Sequence, residues 1–178
     1  MTSQKIHKLL GFLSFFLPLA LYLNTMAPTV SLWDCGEFIA TSVTLGVPHP
    51  PGTPLYLLLG NVFSHLPLYS DIGARVNLMS PIASALSVML LYQITVMLIQ
   101  EFRESSHDWS DIFIIYISSF IGAMTFAVTD SHWFNAVEAE VYSISTLSTA
   151  LVVWLILLWT KKNDDKSSVK YILIIAYI

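Results

Sequence analysis

The sequence predicts an all-α integral membrane protein, a polytopic bundle of transmembrane helices. Three observations carry that reading. Hydrophobic residues make up 55% of the chain and charged residues 11%, with a mean hydropathy of +0.67, whereas a soluble domain runs at about 45–50% and about 25%. The apolar residues are gathered into uncharged runs that approach the roughly 20 residues needed to cross a hydrocarbon core. Lys and Arg are shared unevenly among the polar segments between those runs. The 178 residues are read as a single transmembrane domain.

The first span, residues 9–27, follows Lys5, His7 and Lys8 and holds no charge. A cleavable signal peptide has an apolar core of about 7–15 residues ending at a small-residue site. This run continues into Ala27-Pro28-Thr29-Val30, so it reads as a retained anchor. Pro18 frees a backbone carbonyl and bends the helix, which is tolerated where neighbouring helices cover the kink. Further spans follow at 76–100, with Pro81 in its first turns, at 112–128 and at 144–160. A last run, 171–178, is an incomplete span, so the chain is read as the amino-terminal part of a longer protein.

Orientation follows from the basic residues. With a cytoplasmic amino terminus, Lys5, Lys8, Arg103, Lys161, Lys162, Lys166 and Lys170 all lie inside, and of the 8 Lys and Arg only Arg75 lies outside. Segments 28–75 and 129–143 are then both extracytoplasmic loops. The single cysteine, Cys35, excludes an internal disulfide and a cysteine-based zinc site.

Within the first loop, a helix is expected after Ser31, with Asp34 near its positive end. Asp34 and Glu37, at i and i+3, share a face. Phe38, Ile39, Val43 and Leu45 give this helix an apolar side, so it is expected to lie along the membrane surface. Pro48-His49-Pro50-Pro51-Gly52-Thr53-Pro54 cannot continue a helix and reads as a rigid elbow. Leu55 to Leu66 is a short interfacial or re-entrant helix.

The candidate site residues are Asp34, Glu37, His49 and Arg75 from the first loop, and Asp130, His132, Glu138 and Glu140 from the second. Plainer roles stand beside these: Asp34 as a helix cap, His49 as a loop-ordering donor, Arg75 snorkelling to the headgroups. Glu138 and Glu140 fall on one side of a strand or on different sides of a helix, so at most one faces a site if the segment is helical. Trp33, Trp109 and Trp133 suit an interfacial aromatic belt. Asp34 and Glu37 are oxygen ligands of the kind a divalent cation takes, with the metal left unknown.

Four segments in order, "WDCGEFIA", "LGVPHPPGTPLYLLLG", "RVNLMSPIASAL" and "HWFNAVEAEVYSIS", resemble the amino-terminal region of a polytopic membrane family. This is the protein O-mannosyltransferase-like family, formerly a domain of unknown function, in the GT-C glycosyltransferase superfamily. The resemblance runs through nearly all of the chain. The family pattern Asp-x-x-Glu maps to Asp34 and Glu37, and His-Pro-Pro-Gly maps to His49, Pro50, Pro51 and Gly52.

The resemblance implies a GT-C-like helical bundle and a membrane glycosyltransferase. Such an enzyme moves a sugar, mannose in the animal members, from a polyprenyl-phosphate carrier to an extracytoplasmic hydroxyl on a protein or glycan acceptor. The reaction needs a carboxylate base for the hydroxyl proton and a cation to hold the departing phosphate. Asp34 is the expected base, Glu37 its positioning partner or a sugar ligand, and Arg75 the donor-phosphate ligand. His132, Glu138 or Glu140 would complete the acceptor side. No cofactor is firmly implied beyond the lipid-linked donor, a divalent cation aside. The expected partners are the lipid bilayer, that donor and the acceptor, with no nucleic acid. The alternatives are a noncatalytic scaffold subunit, which would keep the motifs without the chemistry, and a transporter. A transporter places ionisable residues near the midplane, and the four complete spans contain no Asp, Glu, Lys or Arg.

Overall fold

The computed structural model describes residues 3–103, 109–162 and 168–177, and the regular structure among them is entirely helical. Among the described residues, three helices are long and apolar enough to cross a membrane: Ser3–Thr25, Ile72–Phe102 and Val141–Lys161. The chain is therefore a multi-pass integral membrane protein. The first is α1; the second comprises α4 (Ile72–Asn77) and α5 (Met79–Phe102); the third is α9. Helix α1 starts ahead of the predicted run and takes in Lys5, His7 and Lys8; the long stems of the two lysines let their charges reach the headgroup layer, while His7 Nδ1 lies 2.9 Å from Tyr92 Oη. Helix α4 begins before residue 76, which puts Arg75 on a helix rather than at the foot of a loop. Pro81 lies in the first turn of α5, where a backbone N–H would lack an intrahelical partner anyway.

The span predicted at 112–128 is not one regular helix. A short turn, α6 (Trp109–Asp111), leads into π-helical Ile112–Ile117 and then α7 (Ser118–Ala127). The chain then turns by 67° into α8 (Asp130–Ala136). At about 1.5 Å per residue, 112–127 alone falls short of a core of about 30 Å. It makes a fourth crossing only if the bent pair counts as one span. The segment read as the second loop is thus helical over most of its length, leaving 137–140 irregular. Helix α10 (Val169–Tyr177) takes up most of the final apolar run. Lys166 and Ile178 lie outside the described residues.

Helix α5 is the central element. It carries 12 buried residues, against 4 on α1 and 2 on α9, which pack on it. Its buried Ser80, Ala83, Ser84, Ala85 and Ser87 are small enough to admit neighbouring backbones closely. The main core gathers Tyr22, Val88, Tyr92, Ala123, Ala127 and Ala136. Tyr22 Oη donates to the Ala127 carbonyl at 2.7 Å, which satisfies a hydroxyl buried between α1 and α7.

Two short helices, α2 (Cys35–Thr44) and α3 (Pro54–Ser64), pack on each other and on α4. Phe38, Tyr56, Leu57 and Met79 form their core. Gly60 permits the close approach, since a Cβ there would stand 2.4 Å from Ser42 Oγ. Asn61 Nδ2 donates to the carbonyls of Ser42 (3.0 Å) and Val43 (3.3 Å), pairing groups that the end of α2 leaves free. At about 1.5 Å per residue α3 is too short to cross a bilayer.

Candidate functional site

The site begins at the first turn of α2. Asp34 is its N-cap, with φ −79° and ψ −5°, yet the carboxylate makes no capping hydrogen bond. Asp71 shows the contrast: its Oδ1 accepts from the Ala74 N–H at 3.0 Å and its Oδ2 from Thr29 Oγ1 at 3.1 Å. The acid of Asp71 holds a helix in place, and that of Asp34 does not.

Helix α2 ends at Leu45, in a left-handed conformation (φ 51°), and the chain folds back through the cis Pro50–Pro51 peptide and Gly52 at φ 94°. The left-handed turn at Leu45, between the two residues, lets the chain return His49 to Glu37. The His49 N–H donates to Glu37 Oε1 at 2.8 Å, and ring Nδ1 lies 2.7 Å from Oε2. Ligating atoms of Asp34, Glu37 and His49 all lie within 4.8 Å of one another. The His49 and Glu37 side chains stay 47% and 39% exposed, so this is a surface pair of modest strength.

The hydrogen bond from the His49 side chain, and then that from its backbone, hold the Glu37 carboxyl below its usual 4.5. The same Glu37 contact raises His49 above its usual 6.5. The raised imidazole stabilises the pair fully below 6.5, and that contribution is lost as pH rises through its folded pKa. The lowered carboxyl stabilises it above 4.5, and that contribution is lost as pH falls through its folded pKa. The pair is therefore fully charged between those limits. We expect the His49 ring to titrate above 6.5 by NMR and to fall back in Glu37→Gln; a midpoint indifferent to that change would dissolve the pair.

The second loop meets the first directly. The Ala27 N–H donates to the Val137 carbonyl at 2.8 Å, and Ser31 Oγ donates to Glu138 Oε2. Fully buried Asn77 joins three segments. Its Nδ2 donates to the carbonyls of Ala27 (2.9 Å) and Thr29 (2.8 Å), while its Oδ1 accepts from the Ala139 N–H (3.0 Å) and from Cys35 Sγ (3.6 Å). Because 137–140 is irregular rather than helical, Glu138 and Glu140 are both buried, at 4% and 6% exposure. Glu138 Oε1 is buried without a hydrogen-bond partner. Burial, then the charges of Glu138 and Asp34, push Glu140 above its usual 4.5, and a hydrogen bond from the Val141 N–H, then the His49 charge, oppose them. Acids from both loops thus act on one another in one electrostatic neighbourhood.

Two candidates have other surroundings. Arg75 donates from Nε to the Tyr69 carbonyl (2.6 Å), from Nη1 to Ser64 (3.2 Å) and from Nη2 to Ser70 (3.4 Å). Its guanidinium binds the turn that joins α3 to α4. His132 is buried on α8, tilted against Phe126 at 4.2 Å between ring centroids, and lines a pocket beside α7 and α9. Asp130 opens α8. Sequence reasoning missed Asn77, although a lone amide at the start of an apolar run must find partners once buried. It also missed Ser31, whose short hydroxyl carries no signal of its own.

Two carboxylates and an imidazole are donors that suit a divalent cation, and the uncapped Asp34 fits that use. Glu37 and His49 already bind each other, so a cation would have to displace the proton between them.

Fold and site together define a polytopic, all-helical membrane protein that gathers acids from two loops beside its central helix. The chain belongs to the family described as the protein O-mannosyl-transferase TMEM260 N-terminal domain, whose model matches residues 34–178. It is similar to the protein O-mannosyl-transferase tmem260 of Dictyostelium discoideum, at 24% identity over 143 residues, covering 79% of this chain and 16% of that protein. It is also similar to the protein O-mannosyl-transferase TMEM260 of Mus musculus, at 27% identity over 158 residues, covering 89% and 20%. The chain thus spans a fifth or less of the length of these curated relatives. No solved structure matches it.

Proposed function

We propose that this chain forms the acceptor-activating part of a GT-C-type protein O-mannosyltransferase. In this reading the enzyme moves mannose from a polyprenyl-phosphate carrier to a protein hydroxyl on the extracytoplasmic side. The names of the relatives support the reaction class. The observation that carries the site is the uncapped Asp34 beside the Glu37–His49 pair.

Asp34 takes the acceptor proton while the acceptor oxygen forms its bond to the anomeric carbon. The bond from that carbon to the carrier phosphate breaks, and the polyprenyl phosphate leaves with the electron pair. Glu37, fixed by two contacts from His49, positions Asp34 or a sugar hydroxyl. Glu140, in the same charge field as Asp34, offers a carboxyl group to a sugar or acceptor hydroxyl. A divalent cation held by Asp34, Glu37 and His49 would supply further positive charge, and activity with and without a chelator tests for it.

The carbonyl contacts of Arg75 favour ordering of the first loop over grip on the donor phosphate. The two roles separate on Arg75→Lys, which keeps the charge and loses the planar fork. Loop ordering predicts a lower unfolding temperature with unchanged donor affinity, and a phosphate clamp predicts weaker donor binding at unchanged stability.

The deciding experiment is transfer by the complete protein, reconstituted with a short-chain polyprenyl-phosphate mannose and a protein acceptor. Mass spectrometry should find mannose on a Ser or Thr hydroxyl. Bound donor with no transfer to any hydroxyl would favour a scaffold subunit.

A further inference from the structure

Away from the acids, two pockets adjoin beneath α8. One, of about 280 Å³, is lined by Thr129, His132, Asn135, Tyr142 and Ser143. The other, of about 440 Å³, runs between α5 and α9 along Leu91, Ile94 and Val153, with Thr149 beside them. Both share Phe126 and Thr146, so they form one groove with a polar end and an apolar end. Among the described residues, neither wall contains an Asp, Glu, Lys or Arg.

The threonines along the groove present acceptors. Thr129 Oγ1 donates its proton to the Phe126 carbonyl (2.8 Å), Thr146 Oγ1 to Tyr142 (2.8 Å) and Thr149 Oγ1 to Ser145 (2.9 Å). Asn135 Nδ2 likewise donates to the Ser131 carbonyl at 2.7 Å. For a ligand the three threonines have only oxygen lone pairs left, while Asn135 keeps its side-chain oxygen and a second N–H. His132 adds an Nε2 without a hydrogen-bond partner, on a residue only 7% exposed. Such a nitrogen is costly unless something binds it.

Threonine acceptors, with the second Asn135 N–H and the His132 nitrogen near them, suit ligand hydroxyls, which both donate and accept. An ionised phosphate or carboxylate finds no cation here to offset its desolvation. The apolar end lies on α5 and α9, two helices apolar enough to span the bilayer, so a hydrocarbon tail entering it would be at membrane depth. We infer that this groove binds an uncharged lipid whose headgroup carries hydroxyls, with the headgroup at His132 and Thr146 and the tail between α5 and α9. The inference is independent of the transfer reaction, because it uses none of the acids assigned to it.

The test uses the complete protein in nanodiscs and two photoreactive probes with the same diazirine-bearing alkyl tail, one an alkyl glucoside and the other an alkyl phosphate. The glucoside should label peptides of α5 and α9 several-fold more than the phosphate, and excess unlabelled glucoside should compete. Thr146→Val keeps the side-chain shape and removes the acceptor, so it should cut glucoside labelling several-fold and leave phosphate labelling unchanged. His132→Gln should act in the same direction, with thermal unfolding showing that each variant is folded. Equal labelling by both headgroups, or glucoside labelling indifferent to Thr146→Val in folded protein, would reduce the groove to an ordinary lipid-facing crevice and overturn the inference.

Discussion

Replacing Asp34 with asparagine should lower the transfer rate of the complete protein by about 10²–10⁴-fold, the range expected when a general base is lost. The change should leave fold and donor affinity intact, because asparagine has the same shape and the native carboxylate makes no capping bond to lose. The Phe38 N–H to Asp34 carbonyl contact that starts α2 (3.0 Å) is a backbone bond and survives the substitution. Glu37→Gln should be milder, since glutamine retains an oxygen to accept one of the two His49 bonds. Single-turnover rates, with donor affinity measured on the same protein, separate the two positions. A near-native rate for Asp34→Asn removes it as the base, and equal losses at both would leave the pair acting as one unit.

The second large effect is structural. Asn77→Leu nearly preserves volume but leaves the buried N–H of Ala139 and the part-buried carbonyls of Ala27 and Thr29 without their partner. A buried group left unpaired costs about 1–3 kcal/mol, so the loss should be at least of that order, with the part-buried carbonyls adding less. Asn77→Asp should be no better: it keeps the acceptor, loses both donors and brings a charge into the interior. Two readings should move together. The unfolding temperature should drop, and Cys35, fully buried against Asn77, should react faster with a thiol reagent. An unchanged unfolding temperature with Cys35 still protected would mean that the two loops are held together by something other than this amide.

Residues of both kinds show why parts of this protein are legible in its sequence and others are not. The cores of α1, α5 and α9 are legible because a hydrocarbon core imposes a local demand, a sustained run of apolar residues. The elbow at 48–54 is legible because proline and glycine act on their own dihedral angles, and Asp34 and Glu37 share a face through helical spacing alone. The break after Ala127 is not legible in the same way: hydropathy measures how apolar a run is and carries no direction, so a 67° turn leaves little trace in it.

Only the tertiary structure decided what those residues face. It brings His49 back onto Glu37, closes Ser31 over Glu138, and buries Glu138 and Glu140 beside the first loop. It also directs Arg75 onto three carbonyls and Asn77 onto two carbonyls and an N–H. The physical reason is that the partners in these last contacts are backbone groups, which nearly every residue carries identically, so no residue type marks where an arginine or an amide will find them. The sequence by itself determined the membrane class, the apolar runs and the acids on one helical face, since these depend on neighbours along the chain. Which acids share a charge field, and which cation is already engaged, depends on distances between segments far apart in sequence, and those exist only once the helices have packed.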